Sequence, residues 1–357
     1  MGFVGIIANP ASGKDIRRLV SQATTVNNHE KVSIVRRVLL SLFASGAGRV
    51  EIMPDCFGIG SRALDGLCDH SGILAATSLI DMPLKNTADD SQYAAQYLRD
   101  AGAGCIVVLG GDGTCRVVSK GCGDVPLLPI STGTNNVVPD FIEGTVAGSA
   151  AAYVALHPDV ERLRFCHQHK RLLVYVNDEM VDQALVEVAL VSSRFVGTRA
   201  IWEVDRLRQV FVARAQPVNI GMSAIIGMVH PIAPTHPGGA SATIASDGRK
   251  VMVPLAPGRF APVGVGEIAD LKPGVRYPVD GGRPAILALD GEREIALYEG
   301  DDAKVMLDLH GPWIVDVERT LLIAVKKGMF LRRKYGNRSS HAQTGFDDDP
   351  RQGRQVA

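Results

Sequence analysis

The chain has 357 residues, more than one hydrophobic core usually serves, so two domains are expected. Hydrophobic residues make up 46% and charged residues 21% of the chain, a composition typical of a soluble globular protein and not of a disordered or fibrous one. Basic and acidic residues balance at 38 each, so no net charge favours nucleic acid or an anionic membrane surface as a partner.

The cysteines, at positions 56, 68, 105, 115, 122 and 166, form no Cys-x-x-Cys pair. Their scatter predicts reduced thiols and a cytoplasmic location rather than a disulfide framework. The first apolar run stops at Asn9-Pro10, and no run approaches the roughly 18 apolar residues of a transmembrane helix. We therefore expect neither a signal peptide nor a membrane-spanning segment.

Strands and helices alternate over residues 1–157, the predicted first domain. Helices are predicted within 15–45, over 59–70, and from a cap at Thr87 to a stop at Gly102. This alternation predicts an α/β fold with a doubly wound parallel sheet, whose ligands bind at the carboxyl ends of the strands. The predicted strands are residues 3–8, 50–53, 73–78, 105–109 and 125–130.

After residue 157 the pattern changes to short apolar runs separated by turn residues. Such a pattern predicts a mostly antiparallel β domain, which we place at residues 158–315. Residues 230–239 carry three prolines and are predicted to form a loop, and the polar residues 334–357 are predicted to form a disordered tail. The predicted strands are residues 172–176, 185–191, 251–255, 286–289, 295–298, 305–309 and 321–325.

Three polar turns follow strands of the predicted parallel sheet. The first, Asn9-Pro10-Ala11-Ser12-Gly13-Lys14-Asp15, resembles a P-loop but has an acid where a hydroxyl would hold Mg²⁺. The second, Gly110-Gly111-Asp112-Gly113-Thr114, has glycines that let backbone amides approach a phosphate. The third, Ser131-Thr132-Gly133-Thr134-Asn135-Asn136, supplies further hydroxyl and amide donors.

Each turn alone is also compatible with an ordinary strand-to-helix connection. Their convergence at one edge of a sheet is what favours a phosphate-binding crevice and, with Asp112 inside it, phosphoryl transfer. The predicted nucleotide-binding residues are Asn9, Pro10, Ser12, Gly13, Lys14, Gly110, Gly111, Gly113, Thr114, Thr132, Gly133, Thr134 and Asn135.

In this order the three turns resemble the N-terminal motifs of the NAD kinase and diacylglycerol kinase superfamily. Within that superfamily, residues 9–18, 182–187 and 195–202 are similar to the ATP-NAD kinase-like group that includes acetoin catabolism protein X. The resemblance implies that ATP lies across the turns with Mg²⁺, and that the β domain covers the phosphoryl acceptor. It also implies that residues 316–333 return to the first domain, and that the chain forms a homodimer or homotetramer.

The resemblance further assigns roles to three acids. Asp112 is implied to act as the base for the acceptor hydroxyl or as a Mg²⁺ ligand, and Glu187 to lie beside the acceptor. Asp290, in an Asp-Gly turn, is implied as a second catalytic acid or Mg²⁺ ligand, although Asp-Gly between β runs also predicts an ordinary hairpin. The acceptor is expected to be NAD or another small hydroxylated molecule.

The chain departs from NAD kinases at the acceptor site. Val186 replaces the asparagine that precedes the acid in those enzymes, and an apolar side chain cannot make the hydrogen bonds of an amide. Besides a kinase that acts on NAD or a small metabolite, two alternatives remain. One is a nucleotide-binding accessory or sensor protein without turnover, and the other is a lipid kinase. His167 and His169 are predicted to lie in a solvated strand or loop, outside any zinc site.

Overall fold

The computed structural model describes residues 2–13, 26–133, 135–157, 164–192, 204–291 and 293–331. Several expectations lie outside the described residues: the start of the helix predicted within 15–45, the similarity over 195–202 and the tail at 334–357. Two predicted nucleotide-binding residues, Lys14 and Thr134, also lie outside them.

The first domain is built on a seven-stranded sheet in which parallel pairs dominate. Its fully buried central strands are runs of β-branched and other apolar residues, as expected for strands covered on both faces. The α/β fold predicted for this half is therefore confirmed. The strand order is β3-β2-β1-β4-β5-β17-β6, with β1 Phe3–Ala8, β2 Val50–Ile52, β3 Thr77–Leu79, β4 Ala103–Gly110, β5 Leu127–Ser131, β6 Cys166–Gln168 and β17 Trp313–Val315.

Helices cover both faces of this sheet. The cap predicted at Thr87 is present, since its side chain accepts a hydrogen bond from the Asp89 amide, and Gly102 follows the helix at a φ of +83°. The predicted strand 73–78 is wrong in its first half, where a short helix precedes β3. The helices are α1 Asn28–Ala44, α2 Ile59–Asp65, α3 Ser71–Ala75, α4 Ala88–Asp100, α5 Asp112–Ser119 and α6 Gly144–Leu156.

Two antiparallel sheets form the second half of the chain, as predicted. The first has the order β13-β16-β7-β8, with β7 Arg171–Val176, β8 Glu179–Ala184, β13 Arg276–Pro278 and β16 Ala303–Asp308. The second has the order β12-β11-β10-β9-β14-β15, with β9 Glu187–Val191, β10 Leu207–Val212, β11 Gly239–Ala256, β12 Arg259–Leu271, β14 Ala285–Leu289 and β15 Arg293–Leu297. A short helix, α7, spans Ser223–Gly227.

The predicted strand at residues 321–325 is instead part of helix α8, Val317–Lys326. The Asp316 carboxylate caps this helix by accepting a hydrogen bond from the Arg319 amide. Thr320 and Ala324, four residues apart, are its buried positions, whereas Leu322 is exposed, so the apolar run follows a helical and not an alternating period. Among the described residues, no helix is both long and apolar enough to cross a membrane.

Candidate functional site

The three polar turns meet at the carboxyl ends of β1, β4 and β5 and are joined by hydrogen bonds. Asn9 Nδ2 donates to Thr114 Oγ1 at 2.9 Å, which joins the first turn to the second. Ser12 Oγ and Thr132 Oγ1 lie 2.8 Å apart, and the Thr132 amide donates to the Gly110 carbonyl at 3.0 Å. The predicted convergence of the turns is thus confirmed. That they bind a nucleotide stays a prediction.

A buried lysine that sequence reasoning missed supports the first turn. Lys31, in α1, is fully buried, and its Nζ donates to the carbonyl oxygens of Asn9 and Ser12, each at 2.8 Å. It also donates to Asn28 Oδ1 at 3.1 Å. The ammonium group therefore fixes the backbone path of the first turn by binding two of its carbonyl oxygens. No local motif marks this residue, because it lies in a helix about twenty positions beyond the turn.

Replacing Lys31 by Met is expected to lower the free energy of unfolding by about 1–3 kcal/mol and to weaken nucleotide binding. The carbonyl oxygens of Asn9 and Ser12 would lose a buried donor while the methionine filled a similar volume. Urea denaturation and titration with a non-hydrolysable ATP analogue would measure the two effects. Lys326→Met, at an exposed position of α8, is the control, and equal behaviour of the two variants would contradict the role given to Lys31.

The second turn leads directly into α5. Gly111 is the N-cap residue of this helix, and Asp112, Gly113 and Thr114 form its first turn. A Cβ at Gly110 would lie 2.4 Å from the Thr114 Cβ, so the chain needs a glycine there. The first amides of a helix have no acceptor inside it, and with the helix dipole they favour an anion. The turn thus fits a phosphate group.

The Asp112 carboxylate is buried and bridges the second turn to the chain that follows the third. Its Oδ1 accepts from the amides of Val137 and Val138 at 3.0 and 2.8 Å, and its Oδ2 accepts from the Val137 amide at 3.0 Å. The residue is 7% exposed. These bonds hold the carboxylate in one orientation, as a base or metal ligand requires.

Asp290 is placed differently from Asp112. It lies in the turn between β14 and β15, which confirms the hairpin interpretation of Asp-Gly. Its fully buried carboxylate accepts hydrogen bonds from the amides of Leu185, Val186 and Glu187 at 2.9, 2.8 and 3.1 Å. Burial raises the pKa of this carboxyl, and the Arg116 guanidinium and the amides oppose the rise. The contacts favour a positioning role for Asp290, and its role as a Mg²⁺ ligand remains an untested prediction.

Glu187 begins β9 and Val186 precedes it, and the amides of both residues donate to Asp290. Glu187 is largely buried. Val186 is fully buried and packs in the core beside Leu185, so its side chain has no face open to a ligand. The hydrogen bonds that an asparagine would offer to a dinucleotide are therefore missing at this position.

A buried ion cluster joins the two domains beside the glycine turn. Arg116 Nη1 donates to Asp182 Oδ2 at 3.3 Å, and its Nε lies 3.7 Å from Asp290 Oδ2. Lys120, the C-cap residue of α5, forms an ion pair with Asp182. Segment 182–187, on which the sequence resemblance partly rests, therefore holds the β domain against α5. Sequence reasoning missed Arg116, because nothing in its neighbourhood identifies a partner 66 residues away.

The remaining predicted nucleotide-binding residues lie around the crevice. Gly13 adopts a φ of +74°, a conformation that favours glycine. A Cβ at Gly133 would lie 2.7 Å from Asn136 Oδ1. Asn135 Nδ2 donates to the Leu255 carbonyl of the β domain at 3.4 Å, and its Oδ1 is buried without a hydrogen-bond partner in the described chain. Pro10 begins the turn that follows β1.

The described residues contain no group of three or more His, Cys, Asp or Glu side chains that could hold a metal ion. Asp112 can contribute a carboxylate, since it lies in the first turn of α5 among the amides that fit a phosphate. Mg²⁺ in phosphoryl-transfer sites commonly takes one or two protein carboxylates, substrate phosphates and water. The residues present therefore fit ATP together with a Mg²⁺ ion held chiefly by its phosphates.

A cleft of about 660 Å³ is lined by Val137, Val138 and the carboxyl end of β17. Its wall includes His167, His169 and Arg214. The solvated environment predicted for His169 is wrong, since this residue is 3% exposed. Burial lowers the pKa of its ring to about 3, and the Arg214 guanidinium adds to the shift.

This buried histidine predicts a loss of stability in acid. The histidine takes up a proton near its ordinary pKa of 6.5 in the unfolded chain, but only near a pKa of about 3 in the folded chain. Its contribution to stability is therefore fully present above pH 6.5 and is lost as the pH falls from 6.5 towards 3. The expected slope is at most about 1.4 kcal/mol per pH unit. His169→Asn is expected to remove this pH-dependent part of the unfolding free energy. His310, whose side chain is 81% exposed, provides the control, and His310→Asn is expected to retain the pH dependence. Urea denaturation from pH 7 to 4 measures both, and equal slopes would contradict the prediction.

Comparison with known proteins covers both domains. Residues 4–157 match the ATP-NAD kinase N-terminal domain, and residues 170–310 match the acetoin catabolism protein X C-terminal domain. Acetoin catabolism protein X of Cupriavidus necator is 37% identical over 326 residues, which cover 88% of this chain and 90% of that protein. The matched ranges include the glycine turns, the ion cluster and part of the wall of the cleft. This chain therefore belongs to the acetoin catabolism protein X family and has an N-terminal domain of the ATP-NAD kinase type.

Proposed function

We propose that this protein transfers the γ-phosphoryl group of ATP to a hydroxyl group of NAD or of a small metabolite, in a role related to acetoin catabolism. The observation that carries the proposal is the hydrogen-bonded union of three polar turns around Asp112. The matched ATP-NAD kinase domain supports the reaction class, and the name of the similar Cupriavidus necator protein supports the metabolic setting.

The chain's own contribution is positioning and electrostatics. The amides at the start of α5 bind the phosphate oxygens, on which negative charge is spread during transfer. Asp112 orients the acceptor hydroxyl and takes its proton while that oxygen bonds to the γ-phosphorus. The bond between this phosphorus and the β–γ bridging oxygen breaks, and ADP leaves. A bound Mg²⁺ would offset the charge of the phosphates. Asp290 contributes indirectly, by fixing the amides that lead to Glu187.

Among acceptors, a small metabolite is favoured over NAD. The buried Val186 offers no amide group to a dinucleotide. Glu187 remains available as the acid beside the acceptor, and we retain it as a catalytic candidate. A carboxylate there can accept a hydrogen bond from an alcohol of any size, so it does not itself require NAD.

The second candidate function is a nucleotide-binding accessory protein that has lost turnover. The buried Val186 favours it. The buried, fixed carboxylate of Asp112 favours the kinase, because a binding protein has no need to hold an acid beside the phosphates.

One assay separates these functions. Release of ADP and formation of phosphorylated product would be measured with ATP and Mg²⁺ against NAD, NADH, acetoin, butane-2,3-diol, short hydroxy acids and diacylglycerol vesicles. Transfer to a small hydroxylated molecule is the expected result. Binding of ATP without transfer to any acceptor would establish the accessory function, and transfer only to diacylglycerol would establish a lipid kinase. Light scattering on the same sample tests the homodimer or homotetramer that the resemblance implies.

A further inference from the structure

The cleft beside Val137 and Val138 contains buried polar atoms that the fold does not use. Within the described chain, His169 Nε2 and Arg214 Nε are buried and have no hydrogen-bond partner. Both residues line the cleft. Since buried polar groups are nearly always paired in folded proteins, an unpaired acceptor and donor in one cleft indicate a ligand that pairs them.

The tautomer of His169 determines which group it can recognise. Its Nδ1 lies against the carbonyl oxygen of Lys170, which can only accept, so Nδ1 must carry the ring proton. The ring is neutral because burial and Arg214 disfavour its charged form. Nε2 therefore presents a lone pair to its surroundings. It can accept a hydrogen bond from a hydroxyl group, and it would repel a carboxylate or phosphate oxygen.

Arg214 has the opposite preference. Its Nη2 donates to Gln216 Oε1 at 3.3 Å, which leaves the Nε hydrogen for another acceptor. A guanidinium group donates only, and it binds a carboxylate more strongly than a neutral oxygen. The side chain is half-buried, so water screens such a contact incompletely. Its position next to a neutral histidine thus suits a molecule with a carboxylate and a hydroxyl.

The walls of the cleft restrict the size and charge of this ligand. Lys170 Nζ donates to the carbonyls of His236 and Gly238 at 2.6 and 2.8 Å, which holds the proline-rich loop so that Pro234 closes one side. The Glu143 carboxylate at the rim is bonded to the Thr145 amide and to Arg37. Three further acids line the cleft: Asp316 caps α8, Glu318 lies in the first turn of that helix, and Asp140 lies near Arg214. Burial lowers the pKa of the Arg214 guanidinium, and the carboxylates of Asp112 and Asp140 oppose the shift. Ile314 and Leu321 are apolar wall positions, and they suit a short hydrocarbon chain.

We propose that this cleft binds a small hydroxycarboxylic acid, with its carboxylate on Arg214 and its hydroxyl on His169 Nε2. The inference goes beyond the proposed function, because the hydroxyl of this ligand is held by His169 and not by Asp112. The amides of Val137 and Val138 bind the Asp112 carboxylate, and both residues line the cleft. A single stretch of backbone therefore lies between the cleft and Asp112.

Calorimetric titration without nucleotide tests binding directly. The probes are both enantiomers of 2-hydroxybutyrate and 3-hydroxybutyrate, with butyrate as the analogue without a hydroxyl and butane-1,2-diol and butane-1,3-diol as analogues without a carboxylate. We expect a hydroxybutyrate to bind at least about tenfold more tightly than butyrate and the diols. Binding that is no tighter than that of the analogues, or absent for every probe, overturns the proposal.

Variants assign the two contacts. Arg214→Gln and His169→Asn are each expected to weaken the hydroxybutyrate complex at least about tenfold, and His169→Asn can keep a donor for the Lys170 carbonyl. Arg276→Gln, at an exposed arginine of the β domain, is the control. Unchanged affinity in both cleft variants overturns the proposal. Failure of ATP-dependent phosphoryl transfer to every acceptor would contradict the proposed function alone, and phosphoryl transfer without hydroxy-acid binding would contradict the cleft alone.

Discussion

Replacing Asp112 by Asn is expected to lower kcat about 10²- to 10⁴-fold while nucleotide affinity and the fold are retained. This loss corresponds to about 3–5 kcal/mol of barrier, the usual contribution of a general base. The fold should persist because the amide oxygen of asparagine can take the place of Oδ1, which accepts from both Val137 and Val138. Among these three hydrogen bonds, Oδ2 accepts only the one from the Val137 amide. Replacing Oδ2 by an NH₂ group therefore disturbs one of the three contacts.

The measurement combines steady-state kinetics on the best acceptor with titration of an ATP analogue and urea denaturation. Asp301→Asn is the matched control, since Asp301 also accepts a backbone amide, that of Tyr298 at 2.7 Å, but lies on a turn of the β domain. Normal turnover by Asp112→Asn would show that Asp112 is neither base nor metal ligand. A parallel loss of turnover and stability would indicate that its bonds to the 137–138 amides are its whole contribution.

The nucleotide-facing half of the site could be predicted from sequence because its signals are local. Each of the three turns combines a buried strand with glycines and hydroxyls within a few residues, and parallel strands place such turns at one edge. The hydrogen bonds of Asn9 with Thr114 and of Ser12 with Thr132 are the consequence of that arrangement. Sequence reasoning therefore reached the crevice without knowing the strand order.

The cleft could not be predicted in the same way, because its residues are brought together by tertiary structure. His169 follows a short strand that pairs with β17 at the far end of the chain, and Arg214 follows β10. Neither environment can be derived from the neighbouring residues, so His169 was expected to be solvated. The strand predicted at residues 321–325 was wrong for a related reason. A short apolar run can form a strand or the partly buried face of a helix, and the run alone does not distinguish the two.

Replacing Arg116 by Met is expected to lower the free energy of unfolding by about 3–5 kcal/mol, the usual cost of removing one partner from a buried ion pair. Asp182 would keep Lys120, but the fully buried Asp290 would lose its neighbouring cation. Turnover should fall as well, because Asp290 holds the amides of Val186 and Glu187. Urea denaturation and steady-state kinetics would measure these effects.

The control for this variant is Arg99→Met, which removes an exposed pair with Asp100, whose side chain is 68% exposed. Such pairs contribute about 0–1 kcal/mol, so a cost near that of Arg116→Met would contradict the importance given to burial. A double-mutant cycle with Asp182→Asn separates the interaction from the loss of the arginine itself. Coupling of more than about 1 kcal/mol would identify the cluster as the joint between α5 and the β domain. Additive effects would instead mean that Arg116 acts through packing, and that the β domain is positioned on the glycine turn by its apolar contacts.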